Sequence, residues 1–106
     1  MTLEQIERKK KQRKAYRARA RAFVIDYKCS HLCTDCGESF PFYCLDFDHV
    51  RGRKEFELRR AGDDIINIDK LKEEIAKCDV VCKNCHATRT FKRNLSTNDE
   101  LQNRPV

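Results

Sequence analysis

The sequence predicts a small α+β domain that is held together by zinc and carries a long basic helix at its amino-terminal end. Two Cys-x-x-Cys pairs, at residues 33–36 and 82–85, predict the zinc site. The stretch 4–27 contains no Gly or Pro and is rich in the helix formers Ala, Arg, Lys, Glu and Gln, which predicts the helix. Short apolar runs at 42–50 and 78–82 predict two strands of a small sheet.

Length and composition limit the size of the apolar core. A chain of 106 residues has room for one compact domain, and 38% of its residues are charged while 8% are aromatic. Burial of apolar surface alone would leave such a domain marginally stable, so a bound metal is expected to contribute to folding. We divide the chain into a basic arm (1–28), a zinc-bound domain (29–95) and a polar tail (96–106).

The predicted arm helix is apolar only in its second half, at Tyr16, Ala20, Phe23, Val24 and Tyr27. This half is expected to pack on the domain while the first half projects into solvent. Residues 1–28 hold ten of the 23 Lys and Arg residues but three of the 17 acidic ones, so the net charge of +6 is concentrated here. The arm is therefore expected to contact DNA phosphates, with a merely solvated helix as the alternative. The expected contacts are Lys9, Lys10, Lys11, Arg13, Lys14 and Arg17.

The seven cysteines are best explained as metal ligands and buried apolar residues. An odd number argues against a closed set of disulfides, and no secretion signal or long apolar run is found, so a reducing, cytosolic setting is expected. Cys29 leaves a shifted ligand set open, whereas Cys44 and Cys78 are expected to be small apolar residues. The expected ligands of a closed tetrahedral zinc site are Cys33, Cys36, Cys82 and Cys85.

Two further helices complete the predicted domain. The first spans 67–78, with Asn67 as its N-cap and an apolar stripe of Ile68, Leu71, Ile75 and Cys78. The second spans 83–95 and has two distinct faces. The face with His86, Arg89, Thr90 and Arg93 is expected to meet phosphate, and the line of Ala87, Phe91 and Leu95 is expected to pack on the domain.

The segment "LDFDHVRGRK", residues 45–54, places acids and a histidine beside three basic residues. Zinc at the four cysteines would bring Asp48 and His49 close to His86, at the start of the closing helix. A carboxylate and one imidazole can hold a second, catalytic ion, while the other imidazole takes a proton from water. Asp46 is expected to be structural.

Three motifs follow one another along the chain: the first Cys-x-x-Cys, "LDFDHV" and "EIAKCDVVCKNCHATRT". In the order and spacing of these motifs, the chain resembles the small zinc-bound HNH endonucleases of phages, mobile introns and bacterial genomes. The resemblance covers about residues 29–93. It implies a ββα-metal fold and a metal-dependent DNA endonuclease that leaves 5′-phosphate ends. By this resemblance His49 is the general base, while Asp48 and His86 bind a catalytic Mg²⁺, Mn²⁺ or Ni²⁺.

The resemblance also has implications for cellular location and for binding partners. It suggests a bacterial or phage-infected host cytosol and leaves phage packaging or replication proteins open as partners. Basic residues near the predicted centre are expected to contact the DNA backbone: Arg51, Arg53, Lys54, Arg89, Lys92 and Arg93.

One position departs from the family pattern. Lys77 stands where many members have their middle Asn, so Asn84, Asn67 or no residue takes that role. Two other functions remain open at this point: a non-catalytic zinc-ribbon module that binds nucleic acid, and a zinc ribbon whose basic arm contacts an acidic protein.

Overall fold

The predicted α+β class is confirmed by a computed structural model, which describes residues 1–61 and 67–95. The tail predicted at 96–106 lies outside these residues. Single 3₁₀ turns precede β1 and follow the loop after it, at Phe42–Cys44 and Leu58–Arg60. The regular elements, in chain order, are α1 (Leu3–Cys29), β1 (Leu45–His49), α2 (Ile68–Ile75), β2 (Cys78–Cys82) and α3 (Lys83–Asn94).

Helix α1 has the two halves that its sequence predicts. Thr2 caps its start, because the hydroxyl of Thr2 accepts from the amide of Gln5 while the Gln5 side chain accepts from the amide of Thr2. Residues 1–15 are all exposed, whereas Ala20 is completely buried where the helix meets the domain. At about 1.5 Å per residue, the exposed helical residues 3–15 are about 20 Å long. None of the described helices is both long and apolar enough to cross a membrane.

Strands β1 and β2 form a two-stranded antiparallel sheet, although 28 residues separate them along the chain. Leu45 lies opposite Cys82, Asp48 opposite Asp79, and His49 opposite Cys78. The first strand is shorter than predicted, because the amide of Cys44 donates to the carbonyl of Pro41 and closes a turn instead of pairing with β2. Asp48 is buried within β1, at 4% exposure.

The core consists of two small apolar clusters. One lies between α1 and α2 and contains Ala20, Leu58, Ala61, Leu71, Ile75 and Cys78. The other surrounds the cysteines and contains Cys33, Leu45, Val80, Val81 and Cys82. Tyr27 and Phe47 contact both clusters, so α1 and the sheet are joined through two aromatic rings whose centroids are 5.9 Å apart.

Helix α2 begins where it was predicted and ends earlier. The side-chain oxygen of Asn67 accepts from the amide of Lys70 at 2.8 Å, which confirms Asn67 as the N-cap. The helix stops at Ile75 instead of 78, because the carbonyl of Lys77 accepts from the amides of Val50 and Arg51 and Cys78 already pairs with β1.

The predicted orientation of α3 is wrong. Phe91 is 50% exposed and Ala87 is also exposed, whereas the face carrying His86, Arg89 and Arg93 is turned towards the sheet. The physical reason is the surface against which α3 packs, which presents carboxylates from both strands. Cations and a histidine on the helix are satisfied there, and Ala87 and Phe91 remain at the surface, while Leu95 is half-buried.

Candidate metal centre and adjoining cleft

The four cysteines predicted as zinc ligands come together. The sulfur atoms of Cys33, Cys36, Cys82 and Cys85 all lie within 4.8 Å of one another. Tetrahedral zinc with Zn–S bonds of about 2.3 Å needs sulfur atoms about 3.8 Å apart, so the cluster has the dimensions of such a site. Cys33 and Cys82 are buried, while Cys36 lies at the surface.

Local backbone geometry explains why each Cys-x-x-Cys presents its sulfurs inwards. In the first, Gly37 has a positive φ of 73° and its amide donates to the carbonyl of Cys33, which closes the turn. In the second, the sulfur of Cys82 caps α3 by accepting from the amide of Cys85 at 3.4 Å. The amide of Cys82 in turn donates to the sulfur of Cys33. These bonds stabilise negative charge on the sulfurs.

The acidities of the thiols favour a bound cation. Burial raises the pKa of Cys33, but the amides of Cys36, Cys82 and Asp35 outweigh it and bring that pKa down to about 6. The pKa of Cys85 is raised to about 12, because its thiol donates to Cys82 and is buried among the other sulfurs. Zinc binds cysteine sulfurs as thiolates and would compensate their negative charge at this site.

The remaining cysteines lie outside this cluster. Cys78 is buried, and burial raises the pKa of its thiol to about 12, as expected for a small apolar residue. Cys44 is half-buried, and Cys29 is exposed at the end of α1. A ligand set shifted to Cys29 has no support among the described residues, since Cys29 is not in the sulfur cluster.

Next to the cysteines, a cleft of about 430 Å³ opens between β1, α3 and the loop after β1. Its walls include the three residues predicted to be catalytic, Asp48, His49 and His86. These three side chains therefore lie along one cleft. The same walls include Asp46, Lys54 and Arg59.

His86 sits between two carboxylates of β1. Its Nδ1 lies 3.0 Å from Oδ2 of Asp46, and its Nε2 lies 3.8 Å from Oδ1 of Asp48. A carboxylate accepts, so Nδ1 carries the hydrogen and the lone pair of a neutral His86 is on Nε2, facing Asp48. Asp46 was expected to be structural, yet it orients this imidazole. The signal in the sequence was the i, i+2 spacing of the two acids, which places both on one face of the strand.

Asp48 is a buried carboxylate that two guanidinium groups hold in its ionised form. Arg93 donates to both of its oxygens, at 2.9 and 2.7 Å, and Arg89 donates at 2.9 Å. The hydrogen bonds from Arg93 lower the pKa of Asp48 to about 2, against the opposing effect of burial. The carboxylate is therefore negatively charged throughout the neutral pH range.

Arg89 is the centre of a larger network. Its guanidinium also binds Asp35, in the loop of the first Cys-x-x-Cys, and Asp79 of β2. It thereby ties α3 to both strands and to the metal site. Arg51 is engaged in a similar way, by Asp79 and by the carbonyls of Ala76 and Cys78. The guanidinium groups of Arg51 and Arg89 thus donate to partners within the protein. Contact of these two residues with DNA stays a prediction.

His49 is paired with a residue that the sequence analysis did not single out. Its Nε2 lies 2.9 Å from Oε2 of Glu74, which is buried in α2 at 1% exposure. Glu74 also accepts from the amide of Glu55 at 3.2 Å and from Nζ of Lys77 at 2.9 Å. Burial raises the pKa of Glu74, but the hydrogen bonds from Lys77, Glu55 and His49 outweigh it, so that the pKa is below its usual value.

The residues considered for the family's middle Asn have separate positions. Asn67 caps α2, and Asn84 is exposed in the first turn of α3, where its carbonyl accepts from the Thr88 hydroxyl. Lys77 lies beside the cleft loop and donates to the carbonyl of Arg53 at 2.7 Å.

Comparison with known proteins assigns no family: no family model, no curated protein and no solved structure matches the chain.

Replacing a cysteine of the cluster should remove both metal and structure. We expect Cys82→Ser to bind zinc weakly and to lose most helical signal, because a hydroxyl replaces a thiolate that also caps α3. Zinc per chain is measured by native mass spectrometry and helicity by far-ultraviolet circular dichroism. Cys29→Ser is the matched control and should keep one zinc. Full zinc occupancy in Cys82→Ser would contradict the assignment.

Removing the Arg89 guanidinium should destabilise the domain strongly. Arg89→Met leaves Asp48 buried with one partner fewer and Asp35 and Asp79 without their shared cation. We expect the free energy of unfolding at fixed zinc concentration to fall by about 3–5 kcal/mol. Lys92→Met, an exposed position on the same helix, should cost less than about 0.5 kcal/mol in the same urea titration.

Proposed function

We propose that this chain is a metal-dependent DNA endonuclease of the HNH type, with β1, β2 and α3 as its ββα-metal unit. One observation carries the proposal: Asp48, His49 and His86 line a single cleft beside the four-cysteine cluster. An ordinary zinc-binding module has no need of an ionised buried acid and two carboxylate-paired histidines in one cleft. A hydrolytic centre uses such groups.

Asp48 and His86 fit the role of ligands to a catalytic divalent ion. Two atoms that are each about 2.1 Å from a shared ion lie about 3–4.2 Å apart. The 3.8 Å between Oδ1 of Asp48 and Nε2 of His86 falls in this interval. Asp46 supports the arrangement from outside, because its bond to Nδ1 directs the Nε2 lone pair towards Asp48. When bound, Mg²⁺, Mn²⁺ or Ni²⁺ supplies positive charge next to the phosphoryl and leaving oxygens.

His49 is the general base of this proposal. Its imidazole accepts a proton from water as the water oxygen forms a bond to phosphorus. The bond between phosphorus and the 3′ oxygen breaks, and that oxygen leaves with a proton from solvent. The products are a 5′-phosphate and a 3′-hydroxyl, and the proton on His49 returns to solvent.

The DNA backbone would lie along the exposed cations around the cleft and along the arm. Lys54 and Arg59 line the cleft, and Arg53 and Lys92 are exposed. The exposed part of α1 adds the cations predicted from the sequence, which supports backbone contacts that do not depend on base sequence.

Cleavage should require both an added metal ion and His49. Zinc-loaded wild-type protein is expected to cleave supercoiled plasmid with Mg²⁺, Mn²⁺ or Ni²⁺ and to be inactive in EDTA after brief exposure. His49→Ala should lose at least about 10²-fold in rate, because the imidazole that takes the proton is gone, while the four cysteines and the exposed cations keep zinc and DNA bound.

His31→Ala is the matched control, because His31 is exposed and stacks on Tyr27, outside the cleft. It should cleave at the wild-type rate. Cleavage by His49→Ala at that rate would remove His49 as the base. DNA binding without cleavage, by folded protein and with each of the three ions, would favour the non-catalytic zinc-ribbon module instead.

The arm should account for much of the salt dependence of DNA binding. Replacing Lys9, Lys10, Lys11, Arg13 and Lys14 by Gln keeps a helix-forming side chain at each position and removes five charges. For duplex DNA each lost phosphate contact reduces the slope of log K against log salt by about 0.9. We expect a slope smaller by up to about 4.5, measured by fluorescence anisotropy between about 50 and 200 mM salt. An unchanged slope would show that the arm does not touch phosphate.

A further inference from the structure

Glu74 occupies a place that the packing of α2 would give to an apolar residue. It lies with Leu71, Ile75 and Cys78 on the buried face of the helix and is 1% exposed. A carboxylate in such a place is costly unless it is paired, and a buried ion pair is seldom more stabilising than apolar side chains of similar size. Packing alone therefore does not account for the acid.

The carboxylate of Glu74 is hydrogen-bonded to His49 and is held in place by two further hydrogen bonds. One carboxylate oxygen accepts from Nε2 of His49 and from the amide of Glu55, and the other accepts from Lys77. Lys77 also binds the carbonyl of Arg53, so the carboxylate is fixed from the turn after α2 and from the cleft loop together. The position of the imidazole follows from that of a carboxylate which cannot easily move.

This pairing determines which nitrogen of His49 faces a reactant. Because Glu74 accepts, the hydrogen of neutral His49 is on Nε2 and the lone pair is on Nδ1. Nδ1 has no hydrogen-bonding partner among the described residues, and the His49 side chain lines the cleft while remaining 17% exposed. Nδ1 is thus the nitrogen that can accept a proton from water.

We propose that Glu74 is the positioning residue of the general base: it holds His49 in the Nε2–H tautomer, with Nδ1 directed to the cleft. The inference rests on the proposed nuclease function and adds a residue to it. When Nδ1 takes the proton of the attacking water, the imidazolium that forms lies against the buried negative charge of Glu74. A buried Asp has this relation to the histidine of a Ser-His-Asp triad.

The test compares Glu74→Gln with Glu73→Gln in the full, zinc-loaded chain. The two variants remove the same charge from neighbouring positions of α2, but the Glu73 side chain is 68% exposed and contacts only Lys70 among the ion pairs of the described residues. Glu74→Gln should slow plasmid cleavage by about 10²- to 10⁴-fold with unchanged DNA affinity and zinc content. Glu73→Gln should cleave as the wild type does.

A second readout does not depend on cleavage. The chain has three histidines, so the ¹⁵N resonances of the His49 ring can be assigned by comparison with His49→Ala. At a pH where the ring is neutral, wild type and Glu73→Gln should show a protonated Nε2 and a bare Nδ1. Glu74→Gln should show a mixture of both tautomers.

The outcomes separate the two proposals. Wild-type cleavage together with equal cleavage by Glu74→Gln would overturn the role of Glu74 and leave the nuclease standing. A wild-type ring protonated on Nδ1 would overturn it too, even if Glu74→Gln did not fold. If wild type cleaves no DNA with any of the three ions, the nuclease proposal and the catalytic role of Glu74 fall together.

Discussion

The convergence of four sulfur atoms is the constraint on which the position of every other group depends. The first Cys-x-x-Cys leads into β1 and the second leads out of β2 into α3, so one point fixes both strands and the closing helix. The apolar clusters beside it are small and are joined through Tyr27 and Phe47. In a domain with so little apolar burial, a metal ion held by the four cysteines would contribute the folding free energy that the core lacks.

Around this centre the domain packs by charge as much as by apolar contact. The sheet face presented to α3 carries Asp46, Asp48 and Asp79, and the helix meets it with His86, Arg89 and Arg93. Pairs of this kind give little net stability when compared with apolar packing, because both partners lose their hydration. Their value lies in holding ionised groups at fixed positions, which is what the proposed chemistry needs.

The sequence predicts much of this arrangement because some patterns determine geometry locally. Cys-x-x-Cys spacing, the uninterrupted helix former content of α1 and the N-cap at Asn67 each act within a few residues, and each is observed. The orientation of α3 was not predictable in the same way. Its amphipathic pattern shows that two faces differ, but the partner surface consists of acids contributed by two strands that are distant in sequence.

Glu74 shows the same limit for a single residue. Glutamate is common on the solvent-facing side of a helix, so the residue type does not indicate burial. Only its spacing of three residues from Leu71 places it on the buried face. Its partners come from β1, from the loop after β1 and from the turn after α2. Lys77 is within local reach of Glu74, but His49 and Glu55 are 25 and 19 residues away, so the pairing with His49 becomes visible only in three dimensions.

The long separation between the two halves of the sulfur cluster has a consequence for synthesis of the chain. Cys33 and Cys36 emerge from the ribosome well before Cys82 and Cys85, and β1 emerges well before its partner β2. The acids of β1 therefore meet α3 only when translation has passed the last strand, and an interrupted chain contains Asp48 and His49 without the groups that hold them. The complete cleft therefore exists only after residues 82–94 have been synthesised.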